Sequence, residues 1–445
     1  MLLSQLLRRP LSSWWLALAL AILALALPAG ARADGRWLLV SDIHLDPFDR
    51  SALPATPGND TNAALLRSAI AKMRAADTDP AVVVLAGDFL AHRFDDLAKR
   101  GAPHATEQAT ALNAMASIER EVAAAFPHAR FLVALGNNDD PCGDYRVSYD
   151  NSYLRALAKI WAPLVDRAAA APNFAHDFGA DGAYVAASPI AGLRVVVANS
   201  VYWSPYYAAA CSSVARPGDV ELTWLQRTLS STPPGERNLV LMHVPPGIDG
   251  YSTAFIHGAT TISFLDPQAG SRLIGMLGAP RNRVTFALAG HTHELQLRDV
   301  RGVPMLIVPS ISPIYGRPPS FLVATVGSDG TIADYTGDVY DYGTASWGVT
   351  YDFNRAFAAR GINAASLAAI HARMVSGWKP PAQVQTSADR FAICAQTEMT
   401  AKGFNGCAGM PNRRVYILLS IVAAVILAVV GWATLMLSAR RQKVV

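Results

Sequence analysis

Cysteine is scarce in this chain. There are four in 445 residues, and no two form a C-x-x-C pair. That spacing excludes a cysteine-based zinc site of the ribbon or finger type. Charge is also scarce: Asp, Glu, Lys and Arg make up 16% of residues, with a net charge of +4. No basic run interrupts the middle of the chain, so the electrostatic footprint of a nucleic-acid binder is missing. There is no internal repeat, which excludes a solenoid. The hydrophobic content of 51% is too high for a disordered chain and directs attention to apolar segments.

Two such segments lie at the ends. Arg8 and Arg9 precede "WWLALALAILALAL" (Trp14 to Leu27), followed by Pro28 and by Ala31-Arg32-Ala33 before Asp34. A positive start, a short apolar stretch and a small-x-small site make residues 1–33 an expected secretory signal peptide. An uncleaved anchor is the alternative. At the other end, Val415 to Leu437 carries no charge and is long enough to span a bilayer core. Arg440, Arg441 and Lys443 follow it, so a membrane helix over 413–439 and a cytosolic tail over 440–445 are expected. Arg413 and Arg414 on the other flank weaken that charge contrast. The expected location is therefore exported and membrane-anchored, with the catalytic domain on the extracytoplasmic face. An oxidising compartment makes two disulfides plausible. Of the three pairings open to four cysteines, Cys394–Cys407 with Cys142–Cys211 is favoured.

Between these ends, apolar runs alternate with helical patterns. Candidate strands lie at 36–40, 81–86, 130–135, 193–198, 238–243 and 284–289, with shorter ones at 304–308, 321–326 and 331–335. Helical periodicity covers 62–76, 106–125, 152–166, 220–229 and 267–277. Alternation of buried strands with helices predicts an α/β sheet architecture over 34–340. An Ala-rich helical appendage and a linker are expected over 341–412.

The chemistry sits where strands end. The first run ends in Ser41-Asp42-Ile43-His44 and the second in Gly87-Asp88. The third ends in Gly136-Asn137, a later one in His243, and another in Gly290-His291-Thr292-His293. In open α/β sheets, ligands bind beyond the carboxyl ends of the strands. Each fragment alone is weak: Gly-Asp after a strand is usually a turn, and a lone His is usually structural. Together, five strand ends deliver Asp, Asn and His side chains to one rim. Such oxygen and nitrogen donors suit divalent metals, and two ions sharing one carboxylate can clamp a phosphoryl group.

The order D-x-H, G-D, G-N-[HN]-[DE], H and G-H-x-H resembles the calcineurin-like metallophosphoesterase superfamily. Locally it is similar to the acid sphingomyelinase-like and endopolyphosphatase-like branch. "SDIHLDPF", "GDFLAH", "LMHVPPG", "GHTHE" and "PSISPIYGRPPSFLVATV" carry this resemblance, which spans about residues 36–338. It implies a metallophosphoesterase-type β-sandwich flanked by helices, with two divalent ions (zinc, manganese or iron). One ion would be held by Asp42, His44, Asp88 and His293. The other would be held by Asp88, Asn137, His243 and His291, with Asp88 bridging. A metal-bridging hydroxide would attack a phosphodiester or phosphoanhydride. The substrate expected is a phosphate-containing small molecule, a lipid headgroup or polyphosphate, with no nucleic acid beyond nucleotides as substrates. A phosphomonoesterase, or a binding module that keeps the metals without strong catalysis, is the alternative.

Relatives usually place histidine where this chain has Asn138, and an amide cannot protonate a leaving group. His92, in "GDFLAH", is the substitute expected to supply that proton; its alternative is a loop histidine facing water. Asp139 and Asp140 are expected either to orient a ligand by hydrogen bonds or to cap the following turn. The aromatics of "VYWSPYY" (201–207), with Tyr251 and Tyr315, either line the cleft or pack locally. "PPG" at 245–247 is a rigid turn that would fix His243.

Overall fold

Runs of Val, Leu and Ala with no polar alternation can be strands only if both faces are covered. A computed structural model shows that arrangement for residues 35–51, 55–208, 217–256, 260–384, 386–410, 422 and 425–432. The expected signal peptide lies outside the described residues.

Two six-stranded sheets form a mixed α/β fold. The first contains β1 (Arg36–Val40), β2 (Val82–Leu85), β3 (Arg130–Val133), β10 (Ser320–Val326), β11 (Ile332–Asp341) and β12 (Ser346–Asp352), in the order β12-β11-β10-β1-β2-β3. The second contains β4 (Tyr184–Ala187), β5 (Leu193–Val197), β6 (Arg237–Leu241), β7 (Val284–Ala289), β8 (Gln296–Val300) and β9 (Val303–Ile307), in the order β4-β5-β6-β7-β9-β8. The central pairs β1–β2, β2–β3, β5–β6 and β6–β7 are parallel, so their carboxyl ends share one rim in each sheet. One hydrophobic core holds residues from both sheets, among them Trp37, Val84, Phe131, Val196, Leu241 and Leu288.

The connecting helices start at polar caps that the sequence supplies. Asn62 accepts from the Leu65 amide at 2.8 Å ahead of the helix Ala63–Ala76. Thr106 accepts from the Ala109 amide at 3.1 Å ahead of Glu107–Ala125. Such caps satisfy amides that the first turn leaves without partners.

Three strands escape the periodicity reading. β8 reads "QLRDV", yet Arg298 is fully buried and donates to the Pro246 carbonyl at 2.7 Å and the Ile248 carbonyl at 3.3 Å. A charged residue mid-run suggests surface; here it braces the turn that follows His243. β4 is short, and both β4 and β12 lie at sheet edges.

The expected C-terminal membrane helix needs correction. Among the described residues no helix is long and apolar enough to cross a membrane. Of the stretch 413–439 only Val422 and residues 425–432 are described, as helix; the rest lies outside the described residues. Eight consecutive helical residues rise about 12 Å, against a hydrocarbon core of about 30 Å. The membrane partner inferred from that helix loses its support with it.

The helices Ala364–Val375, Arg390–Thr397 and Ala401–Ala408 pack beside β8 and the loop after β6. A disulfide joins Cys394 to Cys407 across a separation of 13 residues. Cys142 is also disulfide-bonded, while Cys211 lies outside the described residues. Closing a loop of this length restricts the unfolded chain, so C394S/C407S should lower stability by about 2–4 kcal/mol. Urea denaturation of the wild type and the double variant checks this. Equal midpoints would show that the crosslink adds nothing to the folded helices.

Candidate metal centre

The rim of the two sheets brings the strand-end residues together. Asp42, His44 and Asp88 offer ligand atoms that lie within 4.8 Å of one another, and so do Asp88, His243 and His291. Asp88 belongs to both groups. A third group of the same kind is His44, His92 and His293. The His293 Nε2 lies 3.4 Å from Asp42 Oδ1, and the His44 and His243 Nε2 atoms each lie 3.3 Å from Asp88 Oδ2. Asn137 Oδ1 lies 3.1 Å from His243 Nε2. All seven side chains expected to hold metal thus converge on one place.

The residues present fit two divalent ions. Asp42 Oδ1 is buried and has no hydrogen-bond partner, while Asp42 Oδ2 accepts from the Ser41 hydroxyl at 2.5 Å and the His291 amide at 3.0 Å. A buried carboxylate oxygen without a donor is costly unless a cation satisfies it. His44 Nδ1 meets the Leu90 carbonyl at 3.0 Å, and His243 Nδ1 meets the Ala86 carbonyl at 2.7 Å. Each ring nitrogen Nδ1 therefore donates to a backbone oxygen, which leaves Nε2 as the basic atom facing the centre.

Local backbone geometry aims these groups. Asp42, His44, Asp88, His291 and His293 all have positive φ, between 46° and 76°. Non-glycine residues rarely adopt this left-handed conformation, and its clustering at one site marks stored strain. The turns need room as well. A Cβ at Gly136 would come within 2.0 Å of Asp88 Oδ1, and one at Gly290 within 2.1 Å of Ser41 Oγ. This close approach explains why glycine precedes the polar residue in "GN" and "GH".

Several residues support the site by hydrogen bonds, and of the two roles expected for Asp140 the structure shows the cap of the following turn. Asp139 accepts from the amides of Asp88, Phe89 and Gly136 at 2.9, 2.6 and 2.7 Å, tying the β2 and β3 loops together. Asp140 accepts from the Cys142 and Ser148 amides and shapes its own loop. Asp144 accepts from Asn137 Nδ2 at 2.7 Å, which turns the Asn137 oxygen toward His243. Asn138 binds the shared carboxylate: its amide N–H and its side-chain Nδ2 donate to the two oxygens of Asp88 at 2.8 and 3.0 Å.

His92 sits beside the centre, its ring stacked on that of His44 at 4.1 Å. Its Nδ1 meets Asp60 Oδ1 at 2.9 Å, and its backbone amide donates to Asp60 Oδ2 at 2.9 Å. Burial would raise the Asp60 carboxyl, but the His92 hydrogen bond and the nearby His44 outweigh it and hold it below its ordinary value. No motif flags Asp60; only the fold brings it to His92. The aromatic question divides. Tyr202 and Trp203 are buried packing residues, whereas Tyr206, Tyr251 and Tyr315 are 56%, 70% and 54% exposed. Tyr315 meets His293 edge-on at 4.7 Å and His92 at 5.8 Å.

The electrostatics follow from two carboxylates buried almost completely. Burial alone would raise Asp42 and Asp88, but surrounding histidines hold both below the usual range. Burial likewise disfavours charged imidazole, yet Asp88 and Asp42 outweigh it at His44, which rises to about 10. His243 rises to about 9 for the same reason. His291 and His293 go the other way, to about 4 and about 3, because burial and the neighbouring histidines prevail. Without metal, two charged rings balance two carboxylates.

A mixed α/β fold with histidines and aspartates positioned to bind metal at its strand-end rim defines a metal-dependent phosphoester hydrolase. The family model for calcineurin-like phosphoesterases matches residues 35–295. The chain belongs to that family. It is 24% identical over 333 residues to the sphingomyelinase phosphodiesterase D of Dictyostelium discoideum, covering 71% of this chain and 70% of that protein. Among solved structures, it is similar to a dimetal phosphatase from Danio rerio, at 15% identity and a TM-score of 0.42, covering 71% of this chain and 98% of that one. A 5'-nucleotidase precursor from Thermus thermophilus aligns with a TM-score of 0.34 at 15% identity, covering 68% of this chain and 54% of that one.

The charge balance makes metal uptake proton-linked. Because His44 and His243 are raised above the ordinary 6.5, their charged pairs stabilise the metal-free protein fully below that pH. This contribution fades as pH rises through about 9 to 10. The lowered Asp42 and Asp88 contribute above about 3.8 and lose that contribution in acid. Metal ligation needs neutral rings, so loading at pH 7.5 should release roughly two protons per chain, falling toward none above pH 10. Calorimetric titration in buffers of differing protonation enthalpy measures this. Release near zero at pH 7.5 would contradict the assignment.

Proposed function

We propose that this chain hydrolyses a phosphodiester, with Asp42, His44, Asp88 and His293 holding one ion and Asp88, Asn137, His243 and His291 the other. The observation that carries the reading is the shared Asp88 carboxylate, common to both ligand groups and buried at the meeting of the two sheets. When bound, two such ions supply positive charge for the phosphoryl oxygens and lower the pKa of water. The protein's own residues do the rest. Asn138 holds the Asp88 carboxylate by two hydrogen bonds and so keeps it in place between the groups. Asp60 occupies His92 Nδ1 and fixes the ring, which leaves Nε2 as the atom that hands a proton to the leaving oxygen. With its side chain committed to Asp88, Asn138 takes no part in that transfer.

The diester class rests on the relative named as a sphingomyelinase phosphodiesterase and on the presence of a candidate acid for a poor leaving group. A lipid headgroup diester is the leading substrate class. A phosphoanhydride is the second reading, favoured by Asn138 alone, since a phosphate leaves without needing a proton. Export of the domain is part of the proposal; the Cys394–Cys407 disulfide supports it, because such bonds persist in oxidising compartments. Zinc, manganese and iron all suit the donor set.

A panel of phosphodiesters, monoesters and anhydrides, assayed with metals reconstituted, tests the class. Absence of metal-dependent turnover of every ester and anhydride would sink it. Asp88→Asn should lower kcat/KM by more than the roughly 10–100-fold that outer partners of metal ligands contribute. His92→Ala should slow diesters with alkoxide leaving groups by about 10²–10⁴ while leaving nitrophenyl leaving groups far less affected. Equal losses for both would remove His92 from the role of acid.

A further inference from the structure

Tyr145 is part of the loop after β3, and no motif marks it. It lies eight residues beyond Asn137, and its backbone is pinned at both ends. Its amide donates to the Asn137 carbonyl at 2.9 Å, and its carbonyl accepts from the Ala208 amide at 3.0 Å. Between these bonds its φ is +54°. A bulky side chain in the left-handed region is unfavourable unless the surroundings impose it. The result of that strain is a placement. The Tyr145 hydroxyl lies 3.1 Å from His291 Nε2, with the two rings edge-to-face at 6.1 Å. On its other side Tyr145 meets the exposed Tyr206 at 5.6 Å.

The chemistry of this contact is constrained. A metal-binding imidazole is neutral, with one N–H and one basic nitrogen. With His291 Nε2 engaged by Tyr145, Nδ1 is the nitrogen left for an ion. Nε2 then carries the proton and donates to the phenol oxygen, as outer partners of ligating histidines commonly accept. A phenol whose oxygen accepts from Nε2–H still has its own proton to give. Among the described residues, His291 is the one hydrogen-bond partner of that hydroxyl. The proton is therefore free for whatever lies over the metal groups.

We propose that Tyr145 belongs to the active centre: its oxygen accepts the Nε2–H of His291, and its O–H donates to a non-bridging oxygen of the bound phosphoryl group. The same loop thus sets three things at once. Asp144 turns Asn137, Asn138 holds Asp88, and Tyr145 fixes His291 while contacting the substrate.

The inference rests on the dimetal phosphoesterase reading, and its test is separable from turnover. The probe is inorganic phosphate, titrated calorimetrically into the zinc-loaded full chain at saturating metal. Tyr145→Phe keeps the ring and should weaken phosphate binding roughly tenfold or more, the effect of one hydrogen bond to a charged group. Tyr206→Phe, which shares the ring contact but not the His291 bond, should bind as the wild type does. Nitrogen NMR of the zinc-loaded protein should find the His291 proton on Nε2. Phosphate affinity unchanged within about twofold in Tyr145→Phe would overturn the donor role. So would a loss seen only when metal is below saturation, and a His291 ring protonated on Nδ1 would overturn the contact itself. If Tyr145→Phe does not fold, a fluorinated tyrosine at 145 replaces it. The more acidic phenol should tighten phosphate binding, and unchanged affinity would again refute the proposal. Failure of the wild type itself to bind phosphate would overturn this inference, whereas the phosphoesterase reading on which it rests falls only with absence of turnover across the substrate panel.

Discussion

Two carboxylates buried away from water, Asp42 and Asp88, set the terms for the rest of this molecule. A bare charge in such a place is strongly disfavoured. The fold answers by surrounding them with four imidazoles, a hydroxyl and backbone amides, and by leaving one oxygen of Asp42 without any donor. That arrangement is poor as a core and good as a cation site. Its stability in the absence of metal draws on protonated rings, so loading changes the charge distribution of the site.

The scaffold holds this arrangement by spending favourable contacts elsewhere. Five of the converging residues sit in the left-handed region, and two glycines permit approaches that a methyl group would block. Asp139 adds a rigid tie between the β2 and β3 loops through three close amide bonds. Arg298 braces the turn behind His243 from inside the core, and Gln396 of the C-terminal helices accepts from the Leu297 amide at 3.0 Å, four residues past His293. The strained rim is thus supported from three directions by side chains that are not themselves expected ligands.

Much of this was legible in the sequence, and the reasons are specific. Long apolar runs locate β1, β2, β3, β5, β6 and β7, and the polar residues that end all of these but β5 announce the site. The same logic failed for β8, where the buried Arg298 imitates a surface position. Length and lack of charge pointed to a membrane helix over 413–439, a pattern that the described helix does not extend far enough to satisfy. Within the site, the residues that were hard to foresee are those whose partners are remote in sequence. Asp60 reaches His92 across 32 residues and Tyr145 reaches His291 across 146. Asn138 was visible as a departure from the usual histidine, but its attachment to Asp88 depends on the meeting of two loops.

The order of the strands has a consequence for how the protein comes into being. β1 leads into Asp42 and His44, yet it lies between β2 and β10, so its pairing is finished only when residues 320–326 are available. The partners of those first ligands, His291 and His293, come about 250 residues later. Long-range closure of this kind is slow and leaves early segments waiting for late ones. A growing or truncated chain that ends before His291 would hold its first ligands without these late partners. The full set of expected ligands is therefore present only once the chain has reached His293, and β1 is paired on both sides only once it has reached β10.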